Sequence, residues 1–242
     1  MSPREHAPSY YAATTHPAPP RPPLQGEATT DVCVIGAGFT GVSAALDLAE
    51  RGYDVVLLDA ARVGWGASGR SGAQIVTAYA ADMAKIRGWV GVENARRLFD
   101  LAEESKRLIA QRVARHGIAC DLVWSRFDAA NKPGHLDELK AMQAEWAETY
   151  GYTGTTLVGR DELPGYVDSD AYVGGLHDPG GGHLHPLNYV LGLARAAEDA
   201  GARIFEDSPV THLAFGAKPV ATTPSGRVTA GYLLFCANAY LD

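Results

Sequence analysis

The segment Gly36-Ala37-Gly38-Phe39-Thr40-Gly41 constrains this chain more than any other. It follows the apolar run Val32-Cys33-Val34-Ile35 and opens a helical pattern with Val42, Ala45, Leu46 and Ala49 as its stripe. Gly52 stands where such a helix ends. A second apolar run, Val55-Val56-Leu57-Leu58, then finishes on Asp59. Glycines at this spacing between strand and helix, with an acid at the tip of the next strand, are the fingerprint of a dinucleotide-binding βαβ unit. Gly36 serves the tight turn, Gly38 the approach of a pyrophosphate, and Gly41 the close packing of helix on strand. The first N–H groups of the helix and its positive dipole end face the phosphates. Asp59 accepts hydrogen bonds from ribose hydroxyls.

The 242 residues, 46% of them hydrophobic, suffice for one or two domains. A formal net charge of −7, with no cluster of lysine and arginine, argues against a nucleic-acid partner. No apolar run reaches the length of a membrane span, and the amino terminus lacks the layout of a secretory signal. The expected location is cytoplasmic, with no membrane partner. Cys33, Cys120 and Cys236 are odd in number and far apart, which predicts buried free thiols in a reducing compartment. His183 and His185 have no third ligand at a suggestive spacing, so no metal site is predicted.

Residues 1–29 hold Pro17, Pro19, Pro20, Pro22 and Pro23 and predict an extended arm outside the core. Residues 62–74 are crowded with glycine and serine, which disfavours a helix interior. They form either a plain surface loop or a second cofactor loop, whose N–H groups meet a flat ring system and whose Arg70 balances negative charge. A long helix follows, with Leu98, Leu101, Ala102, Leu108, Ile109 and Val113 on its packing face and Gly117 at its end. Residues 122–127 predict a strand, 136–150 an amphipathic helix, and 172–176 a strand or edge. Residues 178–186 predict a turn that opens a helix buried along Leu187, Val190, Leu191, Ala194 and Ala197.

Strands are expected again at 202–205, 210–215, 220–223 and 232–236. An NAD domain repeats its βαβ unit at once, whereas here the returning strands come late, after a second domain. That layout favours FAD. The expected fold class is α/β, an FAD-binding Rossmann-like domain of glutathione-reductase type interrupted by part of an α+β substrate domain. Its boundaries are 1–29 for the arm, 30–76 and 184–242 for the FAD domain, incomplete at its C-terminal end, and 77–183 for a partial substrate or cap domain.

The run Asp31-Val32-Cys33-Val34-Ile35-Gly36-Ala37-Gly38-Phe39-Thr40-Gly41, followed by Val63-Gly64-Trp65-Gly66-Ala67-Ser68-Gly69-Arg70, resembles the D-amino-acid-oxidase-like FAD oxidoreductases. So do the Ser9-Tyr10-Tyr11-Ala12-Ala13 arm and the stretch from His185-Pro186-Leu187 to Gly201, so the likeness covers nearly the whole chain. It implies FAD lying across Gly36, Gly38, Phe39, Thr40 and Gly41, with its ribose at Asp59 and Ala60. It implies further contacts from Ala67, Ser68, Gly69, Arg70, Ser71, Gly72 and Gln74, and adenine against the backbone at Val210.

The implied reaction is oxidation of a small amine, in the nearest branch a gamma-glutamylated polyamine. Hydride passes to the flavin, the imine hydrolyses, and oxygen reoxidises the cofactor with release of peroxide. Sarcosine-, glycine- or D-amino-acid-type oxidation stays open, as does an FAD-binding remnant or subunit without activity of its own. No catalytic acid or base can be named; Arg70 and Gln74 are near-flavin candidates through the resemblance. Members carry glutamate where Asp59 stands, and asparagine and glycine where Ser71 and Ala73 stand. They also continue well beyond the point where this chain stops. The resemblance therefore implies a truncated substrate sheet that a completing chain or a homo-oligomer would close.

Overall fold

The computed structural model describes residues 5–240. Its elements are α1 (Tyr10–Thr14), β1 (Gly26–Ile35), α2 (Phe39–Glu50), β2 (Val55–Leu58), β3 (Gln74–Ile75), α3 (Met83–Arg115), β4 (Val123–Ala130), α4 (Pro133–Glu145), β5 (Thr156–Gly159), β6 (Gly174–His183), α5 (Pro186–Asp199), β7 (Arg203–Phe205), β8 (His212–Ala214), β9 (Val220–Thr222) and β10 (Gly226–Phe235). Two compact units result. Unit 1 comprises the chain up to Gly72, Arg112–Cys120, and the chain from His185 onward. Unit 2 comprises Ala73–Gln111 and Asp121–Leu184.

Unit 1 is built on a six-stranded sheet of order β7-β2-β1-β10-β9-β8. The first four strands are parallel, and β9 and β8 turn back antiparallel. Val32-Cys33-Val34-Ile35 and Val55-Val56-Leu57-Leu58 are buried without alternation because the parallel strands are covered on both faces. One cover is α2, which buries the expected stripe of Val42, Ala45, Leu46 and Ala49, packed beside α5. Pro186 takes the first turn of α5, and His185 caps it, its Nδ1 accepting from the Asn188 N–H at 3.1 Å. The other cover is a cluster of Leu24, Cys33, Ile35, Val56, Leu58, Ala221, Val228 and Ala230. Burial there pushes the Cys33 thiol up to about 12, so it remains protonated and unreactive. The sheet is Rossmann-like.

The arm is not detached from this core. Leu24 is buried within the apolar cluster, and its N–H donates to Ser208 Oγ at 2.9 Å. A single helical turn, α1, starts at Ser9, whose hydroxyl accepts from the Ala12 N–H. It sets the Tyr11 ring edge-on against His185 at 5.1 Å. The prolines keep the following segment extended while its side chains and carbonyls bond to unit 1, which the proline pattern alone does not reveal.

Unit 2 holds a sheet of order β3-β6-β4, with β5 also paired to β6. The expected turn at Asp178-Pro179-Gly180-Gly181-Gly182-His183 is instead the second half of β6, the central strand. The β4–β6 register shifts between Trp124 and Arg126, and Pro179 falls in that irregular stretch, where no ladder donor is needed. The strands run so close that a Cβ at Gly181 would sit 2.8 Å from Arg126 Cβ. The glycines therefore serve close approach, not chain reversal.

The core of unit 2 is Met83, Ile86, Ala95, Phe99, Trp146 and Tyr150. Phe99 stacks on Tyr150 at 4.5 Å and meets Trp146 edge-on at 5.9 Å. Helix α3 breaks at Gly91, whose φ is 78°. Its buried face is Ala95, Phe99, Ala102 and Lys106, whereas Leu101 and Leu108 of the expected face are exposed. The displacement has a physical cause: Lys106 occupies an inward position because its charge is paired there. Its ammonium lies 2.6 Å from Glu103 Oε1 and donates to Thr77 Oγ1 at 2.7 Å. Beside it the Tyr152 hydroxyl donates to Asp178 Oδ1 at 2.5 Å. Among the described residues no helix is long and apolar enough to cross a membrane.

Candidate cofactor site

At the end of β1 the chain turns at Gly36, with φ +107°, and its N–H donates to the Leu58 carbonyl at 2.8 Å. Gly38 is the residue at which α2 begins, and the helix's own bonding starts with the Val42 N–H on the Gly38 carbonyl at 3.0 Å. The N–H groups before Val42 have no partner inside the helix. One of them, on Phe39, donates to Ser68 Oγ at 2.9 Å. The Phe39 ring rests on Tyr189 of α5 at 5.7 Å, and Thr40 is exposed. A Cβ at Gly41 would lie 1.9 Å from the Gly36 carbonyl oxygen, so the helix can lie this close to the turn only with glycine there.

Asp59 is tied to the turn by its own carboxylate. Oδ2 accepts from the Ala37 N–H at 2.6 Å, and Oδ1 accepts from the Ala61 N–H at 2.8 Å. Its main chain continues the β2–β7 ladder, with Asp59 N–H on Phe205 O and Ser208 N–H on Asp59 O. The Asp59 side chain is partly exposed at the tip of β2. Ala60 is half-buried beside it. The glycine loop joins the same place: the Gly64 N–H donates to the Ala37 carbonyl at 3.0 Å, and Ala67–Gly69 form a single turn that presents Ser68 to Phe39.

Arg70 folds back, donating through Nε and Nη2 to the Trp65 carbonyl at 2.9 and 2.7 Å with its guanidinium 4.6 Å over the Trp65 ring. Ser71 is half-buried and Gly72 exposed. Val210 packs against the apolar cluster of the sheet. Gln74 belongs to unit 2, in β3 opposite His183. The two histidines fall in different units, and among the described residues no three His, Cys, Asp or Glu side chains gather as a metal site.

Two parts of this surround carry no recognisable local pattern. The turn after β10 closes on the glycines: the Cys236 N–H donates to the Ile35 carbonyl, and the Tyr240 ring sits edge-on to Trp65 at 6.0 Å. Glu206, directly after β7, is fully buried and accepts from the Val63 N–H at 2.9 Å. Its only sequence signal is an acid ending the apolar pair Ile204-Phe205.

The profile of the DAO family, FAD dependent oxidoreductase, matches residues 31–242. The chain is 40% identical to gamma-glutamylputrescine oxidoreductase of Escherichia coli (strain K12) over 98% of its own length and 55% of that protein. It thus spans about half the length of the curated relatives it matches. Its fold superposes on glycine oxidase from Geobacillus kaustophilus with a TM-score of 0.73 at 21% identity, covering 88% of this chain and 56% of that one. L-amino acid deaminase from Proteus myxofaciens superposes with a TM-score of 0.75, also at 21% identity, over 94% and 49%.

Proposed function

Because the chain belongs to the DAO family of FAD-dependent oxidoreductases, we propose that unit 1 holds the dinucleotide at the head of α2 and that the protein oxidises a small amine of the gamma-glutamylputrescine type. The observation that carries the cofactor assignment is the Asp59 carboxylate fastened to the Ala37 amide beside the helix start. Gly36 and Gly41 let helix and turn close, and the early amides of α2 take the diphosphate. Asp59 takes the ribose. Ala60, Ala67, Ser68, Gly69, Arg70, Ser71, Gly72 and Val210 complete the assigned contacts within unit 1. When bound, FAD supplies the two-electron oxidation, taking hydride from the carbon next to the amine nitrogen. Oxygen as final acceptor and a cytoplasmic location are part of the same reading.

Titration with FAD tests it. The chain is expected to bind flavin with a shifted visible spectrum, and Asp59→Ala to weaken binding about tenfold, the worth of one hydrogen bond to a charged group. No binding by the unaltered chain overturns the cofactor assignment. In a peroxide assay, gamma-glutamylputrescine is expected to turn over faster than sarcosine or glycine; the opposite ranking overturns the substrate assignment.

A completing polypeptide or a second copy belongs to this proposal too. Its support is β10, which beyond Ala230 has no second strand partner among the described residues and exposes Tyr232, Leu234 and Phe235. Light scattering is expected to give a mass above that of one chain, and a monomer removes this part of the reading.

A further inference from the structure

We infer that Glu206 is a positioning residue for the cofactor site, and that through it the N-terminal arm holds the ribose loop in shape. The inference rests on the reading of unit 1 as an FAD site. The Glu206 side chain has no exposure to solvent, yet three hydrogen-bond donors and the Arg62 guanidinium converge on it. Oε1 accepts from the Val63 N–H at 2.9 Å and from Arg21 Nη1 at 3.4 Å. Oε2 accepts from the Arg21 N–H at 2.9 Å and is paired with Arg62 Nε at 2.8 Å. Arg21 also forks onto Glu198 of α5 at 2.6 and 2.7 Å, and Arg62 donates to the Ala18 carbonyl at 3.1 Å. Arg62 also pairs with the exposed Glu5 at 3.4 Å, so two guanidiniums face three carboxylates, and removing a buried member leaves its partners uncompensated.

What the cluster grips is the segment between Asp59 and Gly64. At one end Asp59 and Ala61 are joined through the Asp59 carboxylate, which also holds the Ala37 amide. At the other end the Gly64 N–H is bonded to the Ala37 carbonyl. Ala37 is therefore held on both sides by a loop whose middle, Arg62-Val63, is held by Glu206, by Ala18, Glu5 and His6 of the arm, and by the Trp65 N–H on the Arg62 carbonyl. A shift of Val63 moves the carboxylate and amides assigned to ribose and diphosphate. Glu206 itself touches neither.

The test compares Glu206→Gln and Arg21→Ala with the unaltered chain, using FAD and ADP as separate ligands and the apo melting temperature as a second readout. The expected result is about tenfold weaker FAD binding in each variant, measured well below its melting temperature, matching one lost charge-assisted hydrogen bond. ADP is expected to weaken by the same factor, since the loop serves the adenosine side. The double variant is expected to lose less than the product of the single losses, because both break one network. A lowered melting temperature with unchanged FAD and ADP affinity makes Glu206 merely structural and overturns the inference. Should Glu206→Gln not fold, Arg21→Ala, which leaves Val63 and Arg62 on Glu206, decides alone. Failure of the unaltered chain to bind FAD would instead overturn the underlying assignment.

Discussion

Gly41→Val is expected to abolish flavin retention and to destabilise unit 1 by about 3 kcal/mol, at the upper end of overpacking costs. The first added carbon would lie 1.9 Å from the Gly36 carbonyl oxygen, a main-chain atom. That oxygen cannot retreat cheaply. Its residue is at φ +107°, its N–H is bonded to Leu58, and a Cβ at Gly41 would also come within 3.2 Å of Cys236 Cβ. The helix must lift away, and its free amides then leave the place where the diphosphate is assigned. Urea unfolding and flavin fluorescence measure the two effects together. Thr40→Ala, on the exposed side of the same turn, is the control and is expected to change stability by less than about 0.5 kcal/mol. Wild-type stability and flavin binding in Gly41→Val would refute the view that tight helix-on-turn packing builds the site.

Lys106→Met is expected to destabilise unit 2 by about 3 kcal/mol, the size of a broken buried ion pair. The methionine fills the volume but leaves Glu103 Oε1 without its ammonium and Thr77 without a donor. It also removes the cation that lies 5.0 Å over the Tyr152 ring. Tyr152 cannot compensate. Burial, and then its bond to Asp178, push its hydroxyl well above the usual phenol range, so it stays a neutral donor committed to that carboxylate. Denaturation followed by tryptophan fluorescence checks the size of the loss. Lys106→Met combined with Glu103→Gln is expected to recover most of it, since the stranded charge is gone. If the double variant is no better than the single one, the loss comes from packing instead of charge.

The βαβ unit and its acid were legible because every signal in them is local: fully apolar strands, a helical stripe, and glycines at fixed offsets. The family resemblance was legible for the same reason. What escaped depended on partners distant in sequence. The glycines of β6 read as a turn because glycine usually marks one, and only the neighbouring β4 shows that they admit a second backbone. The packing face of α3 was misplaced because leucines were counted as inward and Lys106 as outward, whereas ion pairing reverses the choice at that position. The arm read as lying outside the core because its partner, Glu206, is 185 residues from Arg21, where a lone acid after two apolar residues gives no hint of being buried. Arg70, expected beside the cofactor through the resemblance, rests on the Trp65 carbonyl in this structure.

The pairing of β1 with β10 sets an order on synthesis. Gly26 lies opposite Gly226 and Ile35 opposite Phe235, so the middle of the parallel sheet joins two strands that leave the ribosome far apart in time. Every strand of unit 2 lies between Gln74 and His183, so that sheet can assemble while the nascent β1 still waits for its neighbour. During that interval one edge of an apolar strand is bare, an exposure that lasts until β10 is made.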